Sequence, residues 1–320
     1  MDFSYKNIEI AHSQIKNQII QTPLISNDYI NKKLNSKVYF KLENLQNTGS
    51  FKLRGATYKI SKISEANKKN GVVAYSSGNH AQAVAYASLQ QKINCKIIMP
   101  NNAPTIKIEN TKKYKAEVIL YDPETQSRES IGEKISIEEN RTLIRPYDDI
   151  DIIAGQGTAG KEIYEQLMQN SVVPDIYLCC CGGGGLIAGT STYLNDKFTN
   201  IKSFSVEPFG FEDTKKSLNS GTILSNEKGH QSICDAIITP QPGNLTFPIN
   251  LKNLEDGLVV NDDEVKNSIK ILAEHLKIVV EPGGAVAATA ALTEKIDLKN
   301  KTVVVMISGG NIDLEMFRSL

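Results

Sequence analysis

Ser50-Phe51-Lys52-Leu53-Arg54-Gly55 is the stretch on which the fold turns, because it sets one lysine in the first turn of a predicted helix. Asn47-Thr48-Gly49 supplies turn formers before it, Ser50 is the N-cap candidate, and Ala56, Ile60 and Ile63 carry the helical spacing onward. At a helix N-terminus the backbone N–H groups are unpaired and the macrodipole is positive, which disfavours an ammonium and lowers the pKa of an amine. A neutral lysine amine attacks carbonyls and forms Schiff bases. The plain alternative is a solvated surface lysine, and other stretches must decide between the two.

Upstream, Ile8, Ala11, Ile15 and Ile19 recur at helical spacing until Thr22-Pro23, and Val38-Tyr39-Phe40-Lys41-Leu42 reads as a strand feeding the Lys52 loop. Downstream, Gly71 to Tyr75 is a short apolar strand that Ser76-Ser77-Gly78-Asn79-His80 turns into a helix near Ala81. Hydroxyls, an amide and free backbone N–H groups converge in such a turn on a carboxylate or phosphate, although the same residues also suit a simple helix cap. Cys95 to Met99 and Glu117 to Tyr121 are further strands, separated by a helix through Ile106, Ile108 and Tyr114. The alternation predicts an α/β fold with a parallel sheet. It loosens near Arg145-Pro146-Tyr147-Asp148-Asp149, where a boundary between two lobes is expected.

With 320 residues, 40% of them hydrophobic, the chain can bury a sizeable core, and 36 Lys+Arg against 36 Asp+Glu argue against nucleic acid as a partner. No apolar run reaches membrane-spanning length and Met1 to Lys6 does not open a signal peptide, so a soluble cytoplasmic protein is expected. Three of the five cysteines, Cys179-Cys180-Cys181, are consecutive in an apolar run, which suits a buried strand; all five are read as reduced and structural.

Gly155-Gln156-Gly157-Thr158-Ala159-Gly160-Lys161 fits a nucleotide P-loop pattern, yet Glu162 stands where Ser or Thr should hold magnesium, and no strong strand precedes it. The better glycine loop is Gly182-Gly183-Gly184-Gly185, directly after the apolar strand Asp175 to Cys181 and before the helix opened by Leu186, Ile187 and Ala188. Its backbone can approach an anion closely with N–H groups pointing inward, which suits a phosphate cradle; the plain alternative, a flexible tight turn, leaves the entropy cost of four glycines without compensation.

A helix-N-terminal lysine, a Ser/Asn turn and a phosphate loop together suit an amine-binding phosphate cofactor. Ser50 to Ala56, Ser76 to His80, Ala154 to Thr158, Cys181 to Leu186, Val280-Glu281-Pro282-Gly283-Gly284-Ala285 and Ile307-Ser308-Gly309-Gly310-Asn311 resemble, in order, the motifs of the threonine/serine dehydratase and serine racemase family. These are pyridoxal-phosphate enzymes of fold type II, similar to tryptophan synthase β. The resemblance implies two lobes, each a mostly parallel twisted sheet flanked by helices: residues 1–70 and 148–320 as a large cofactor-binding domain, and 71–147 as a small mobile one. A homodimer is implied as well.

By the same resemblance Lys52 holds pyridoxal 5'-phosphate through a Schiff base, Phe51 packs on its ring, Asn79 bonds the ring hydroxyl, and Gly182, Gly183, Gly184 and Gly185 hold the phosphate. Ser308 meets the pyridine nitrogen and, unlike an aspartate, does not keep it protonated, which favours elimination over a long-lived carbanion. Ser76, Asn79 and His80 grip the substrate carboxylate, and Lys52, once displaced, removes the α-proton. The implied reaction is dehydration of L-threonine or L-serine to a 2-oxo acid and ammonia, with 3-hydroxyaspartate ammonia-lyase and serine racemase as alternatives. From a different class, the Gly155 to Lys161 pattern keeps open a phosphate- or nucleotide-binding protein without catalysis.

Ser77 matches a serine that returns a proton from the opposite ring face in serine-racemase-like members, or it caps the helix. Glu207, the Phe211 carbonyl and Asp213 match a site for a divalent cation, Mg²⁺ or Ca²⁺, whose alternative is a solvated acidic loop beside Lys215 and Lys216. Arg128 matches an arginine of the small domain that turns towards the substrate and would pair with a second carboxylate. Glu281 either approaches the cofactor or caps a helix. Asn261-Asp262-Asp263-Glu264 caps a helix running to about Leu276, and Thr302 to Ile307 is a central strand. The sequence ends soon after Ser308, so a C-terminal regulatory domain and feedback inhibition by isoleucine are not expected.

Overall fold

The computed structural model describes residues 3–103 and 105–320, with the side chain of Ile106 outside the described residues. Its strands are β1 (Leu24–Ser26), β2 (Lys37–Leu42), β3 (Val72–Tyr75), β4 (Cys95–Pro100), β5 (Glu117–Tyr121), β6 (Thr142–Leu143), β7 (Ile176–Cys180), β8 (Lys202–Pro208), β9 (Leu254–Val260) and β10 (Thr302–Ile307). They form a six-stranded sheet in the order β1-β2-β10-β7-β8-β9 and a four-stranded sheet in the order β5-β4-β3-β6. Every pairing of these strands is parallel except that of β1 with β2. Helices link them, as parallel connections require.

The parallel strands are apolar without alternation because both faces are covered: Val303 to Ile307 are fully buried. The Pro282–Leu292 helix is buried along its whole length and is accordingly apolar all round. The Asp262–Leu276 helix has the expected capping box between Asn261 and Glu264 and buries Val265, Ile269 and Leu272. Among the described residues no helix is long and apolar enough to cross a membrane.

Some local boundaries differ from the sequence pattern. The N-terminal helix covers Tyr5–Ile15, so it stops short of Thr22-Pro23 and Ile19 is buried beyond its end. Ser50 is not the N-cap of the Lys52–Ser61 helix: Phe51 holds that position with helical dihedrals, and Ser50 instead bridges Gly309 in antiparallel fashion. The Gly155 to Lys161 pattern lies inside a continuous helix, Ile150–Met168. Its glycines serve helix packing, since a Cβ on Gly155 would lie 2.6 Å from Gly55 Cα, and one on Gly189 of the facing helix would lie 2.8 Å from Gly157 Cα. No phosphate loop exists there, and Lys161 pairs with Glu9 and Glu165.

Beneath the Lys52–Ser61 helix lies a charge cluster that the sequence pattern does not signal. Arg54 pairs with Glu43 at 2.7 Å and with Glu162 at 2.7 Å, while Lys41 reaches Glu162 at 2.7 Å, and all four side chains are at most 1% exposed. Thr22, Thr158 and Gln166 take up the remaining donors and acceptors. Such buried ions are tolerable only when each is paired and hydrogen-bonded.

Candidate active site

The carboxyl ends of the parallel strands open onto a cavity of about 820 Å³, where the rule for α/β sheets places a ligand. It is lined by Phe51 and Lys52, by Ser76 to His80 after β3, by Cys180 and Gly182 to Leu186 after β7, and by Glu281 and Asn311. The Lys52 loop is tied to the end of β10 by the Phe51 N–H, which donates to the Ser308 carbonyl at 3.1 Å. Lys52 Nζ stands over the Phe51 ring, 5.1 Å from its centroid, and donates to the Pro146 carbonyl at 2.8 Å.

Burial holds the Lys52 amine down to about 8 from 10.5, against the opposing pull of Cys180 and Glu281. The lowered pKa therefore comes from desolvation in the cavity wall, whereas the sequence pattern suggests the helix dipole. Burial, and then the Lys52 charge, push His80 to about 3, so its ring is neutral. With Ile144 O at 2.9 Å able only to accept, His80 Nε2 carries the proton and Nδ1 is left buried without a partner. What His80 can offer an anion is its backbone N–H in the first turn of the Asn79–Gln90 helix.

None of the amide N–H groups from Gly182 to Ile187 has an acceptor among the described residues. Thr246 Oγ1 holds the Gly183 carbonyl at 2.6 Å and Asn250 Nδ2 the Gly184 carbonyl at 3.4 Å, which leaves the N–H edges of those peptides free. Gly184 has φ +88° at the start of the Gly185–Lys197 helix, and a Cβ on Gly183 would collide with the Tyr147 ring. Unpaired amides at a helix N-terminus fit a phosphate. A cavity amine of lowered pKa beside them fits an aldehyde that bears one, so the residues present fit pyridoxal phosphate.

Glu281 occupies the N-cap position of its helix without capping it; its Oε1 instead accepts from Asn79 Nδ2 at 2.6 Å. Burial pushes this carboxyl up to about 7, with the Asn79 bond opposing. Ser76, Ser77 and Arg128 also line the cavity, and the Arg128 guanidinium lies 5.8 Å from the Tyr75 ring centroid and pairs with Glu129 at 2.8 Å. Ser308 is buried at the end of β10, beside Cys180 at the end of β7.

The acidic set lies elsewhere. Glu207 accepts the N–H groups of Thr214 at 2.8 Å and Lys215 at 2.9 Å, capping the Asp213–Ser220 helix. Burial and the neighbouring Asp213 hold Glu207 well above the usual carboxylate range, and burial holds Asp213 up to about 7. Asp213 Oδ2 is buried without a partner, and among the described residues no three His, Cys, Asp or Glu side chains gather as metal ligands.

Three cavity residues escape the sequence pattern: Tyr147, which covers the glycine loop, Asn311, which bonds Asn79, and Cys180, which reads as purely structural although it faces the cavity. The Tyr147 signal is the expected lobe boundary; Asn311 ends the Ile307 to Asn311 motif, which implies no role for it; Cys180 carries no signal beyond its position just ahead of four glycines.

A family model described as pyridoxal-phosphate dependent enzyme matches residues 15–309. The chain is 37% identical to an L-threo-3-hydroxyaspartate ammonia-lyase of Saccharomyces cerevisiae, over 99% of this chain and 96% of that protein. It is also 37% identical to a catabolic L-threonine dehydratase of Escherichia coli, over 95% and 92% respectively. A crystal structure of serine racemase from Dictyostelium discoideum superposes with a TM-score of 0.90 at 39% identity, covering 97% of this chain and 99% of that one. The likeness runs over nearly the whole chain, and its cavity amine and phosphate cradle suit the cofactor that the family model names; the chain belongs to the pyridoxal-phosphate-dependent enzyme family.

Proposed function

We propose that this chain eliminates the β-hydroxyl of a small 3-hydroxy amino acid, L-threonine or L-serine, releasing a 2-oxo acid and ammonia. The observation that carries the reading is Lys52, with a pKa of about 8, set on the cavity wall between the unpaired Gly182 to Ile187 amides and the Ser76 to His80 turn. Bound pyridoxal phosphate supplies an electron sink for the bonds at the substrate α-carbon. The glycine-loop amides bind its phosphate, Phe51 supports its ring and Asn79 contacts its hydroxyl. The Ser76 hydroxyl and the first-turn amides of the Asn79–Gln90 helix orient the substrate carboxylate. Lys52, whose lowered pKa makes the neutral amine accessible near neutral pH, takes the α-proton at Nζ. Ser308 faces the ring nitrogen as a neutral group, which favours loss of the β-hydroxyl over re-protonation of the α-carbon.

Two observations favour neighbouring reactions. Arg128 on the cavity wall would pair with a second substrate carboxylate, supporting 3-hydroxyaspartate as substrate. Ser77 on the same wall supports proton return and hence serine racemisation. The reading extends to a cation at Glu207, Phe211 and Asp213, to a cytoplasmic homodimer, and to closure of the 71–147 lobe over the substrate. The last is supported by Lys107, which reaches from the helix after β4 to Asp235 at 2.8 Å on the cavity rim.

Each of L-serine, L-threonine and 3-hydroxyaspartate, offered to the cofactor-loaded enzyme with and without chelator, should be followed for oxo-acid and ammonia release and for D-isomer formation. Oxo acid from L-threonine or L-serine as the fastest product is expected. D-serine formation faster than any elimination would replace the proposal with a racemase, and exclusive turnover of 3-hydroxyaspartate would replace it with the dicarboxylate lyase.

A further inference from the structure

Three segments meet at Asn311: the loop that carries Lys52, the end of β10, and the turn after β3 that carries Asn79. Asn311 Nδ2 donates to the Thr48 carbonyl at 2.8 Å and to Asn79 Oδ1 at 2.8 Å. A backbone carbonyl can only accept, so the contact with Thr48 fixes which end of the Asn311 amide carries its hydrogens. Its second hydrogen must then meet an acceptor, and the group it meets is Asn79, whose oxygen is thereby identified. Asn79 Nδ2 is left to face Glu281 Oε1 at 2.6 Å and has one hydrogen over for the cavity. The chain of assignments runs from a main-chain oxygen to a cavity donor without a free choice.

The loop is shaped to hold Asn311 in place. Gly49 has φ +72°, and a Cβ there would collide with Asn311 Oδ1. The Gly310 N–H donates to the Gly49 carbonyl at 2.9 Å, so the two segments are joined on both sides of the contact.

We propose that Asn311 is a positioning residue that locks the Asn79 side-chain amide with its N–H edge toward the cavity and sets it at a fixed place relative to Lys52. The inference rests on pyridoxal phosphate being the cavity's ligand. Asn79 then presents a donor, not an acceptor, to the cofactor ring, which selects the ring hydroxyl in its ionised form. An inverted amide would offer the same oxygen a lone pair.

Asn311→Asp tests this, because it keeps the shape of the side chain but has no hydrogen to give when ionised. Cofactor titrations of the apoprotein, followed by absorbance, should show binding weakened roughly ten- to hundredfold, the loss of one donor to a charged acceptor. The long-wavelength band of the bound cofactor should diminish in favour of the shorter-wavelength one, while the thermal midpoint of the apoprotein stays near that of the wild type. Asn311→Ala should show the same spectral change. Wild-type affinity and an unaltered spectrum in Asn311→Asp would overturn the inference, as would a lowered midpoint with an unaltered spectrum, which is what a merely structural asparagine would give. If the wild-type chain itself forms no band with pyridoxal phosphate, the cofactor reading fails and this inference with it; a normal wild type beside a normal Asn311→Asp removes this inference alone.

Discussion

Lys52 and Arg54 stand two positions apart on one helix, and their surroundings could hardly differ more. Burial disfavours the charge on Arg54, but Glu43 and Glu162 outweigh it and raise its pKa, so the guanidinium is fully ionised and fully bonded. Lys52 meets the same desolvation with a carbonyl as its hydrogen-bond partner and, among the described residues, no carboxylate in a salt bridge, and its pKa falls to about 8. One cation is held ionised by saturation, while the other, left short of partners, gives up its proton more readily. The difference lies in partners, not in depth, and it separates a structural charge from a chemical one.

The largest expected effect is on Lys52. Lys52→Ala should lower oxo-acid release by roughly a thousandfold or more, the scale of a lost general base, while the thermal midpoint stays close to that of the wild type. Retained turnover would show that the reactive member of the pair has been misidentified. Arg54→Met should do the opposite. It strands buried Glu43 without its cation and should cost about 3–5 kcal/mol in denaturant unfolding, visible before any assay of activity. A change below about 1 kcal/mol would mean that the cluster is not saturated in the way the distances imply.

The two cations should also separate in a pH series. The folded pKa of Lys52, about 8, lies below the 10.5 of the free side chain, so between these values the unfolded chain binds more protons than the folded one. Stability of the apoprotein contributed by this group should rise with pH across that window and be level below it. The difference in denaturant midpoint between wild type and Lys52→Ala, followed from neutral pH upward, isolates the contribution; parallel curves would place the Lys52 pKa at its ordinary value. The smallest effect belongs to the rim. Lys107→Ala removes an exposed pair with Asp235 and should change stability by less than about 1 kcal/mol, so any larger change in KM would report the closing of the lobes and not folding.

Much of this is legible in the chain. Alternating apolar strands and helices indicate parallel sheets because that connection pattern has few other solutions. Lys52, the Ser76 to His80 turn and Gly182 to Gly185 are legible because each combines a strand end with residues that expose backbone N–H groups, and the structure sets all three around one cavity. What escapes the sequence depends on partners far away in it. The paired carboxylates of Arg54 lie 11 and 108 residues off, and Asn311 meets Asn79 across 232 residues. Local signals can also carry two meanings: the glycines from Gly155 to Gly160 match a phosphate-loop pattern because close helix packing and tight turns both demand a missing Cβ, and Glu162 is what argues against the loop. Glu281 sits at a helix start, as a cap would, yet its carboxylate turns to Asn79.

If Lys52 is the residue that takes the cofactor, it should be the one lysine that can be fixed to it. Borohydride reduction of the protein loaded with pyridoxal phosphate, followed by proteolysis and mass spectrometry, tests it directly. The cofactor's mass should be fixed on the peptide containing Lys52 and on no other lysine; an adduct on a different lysine, or none at all, would assign the cofactor elsewhere.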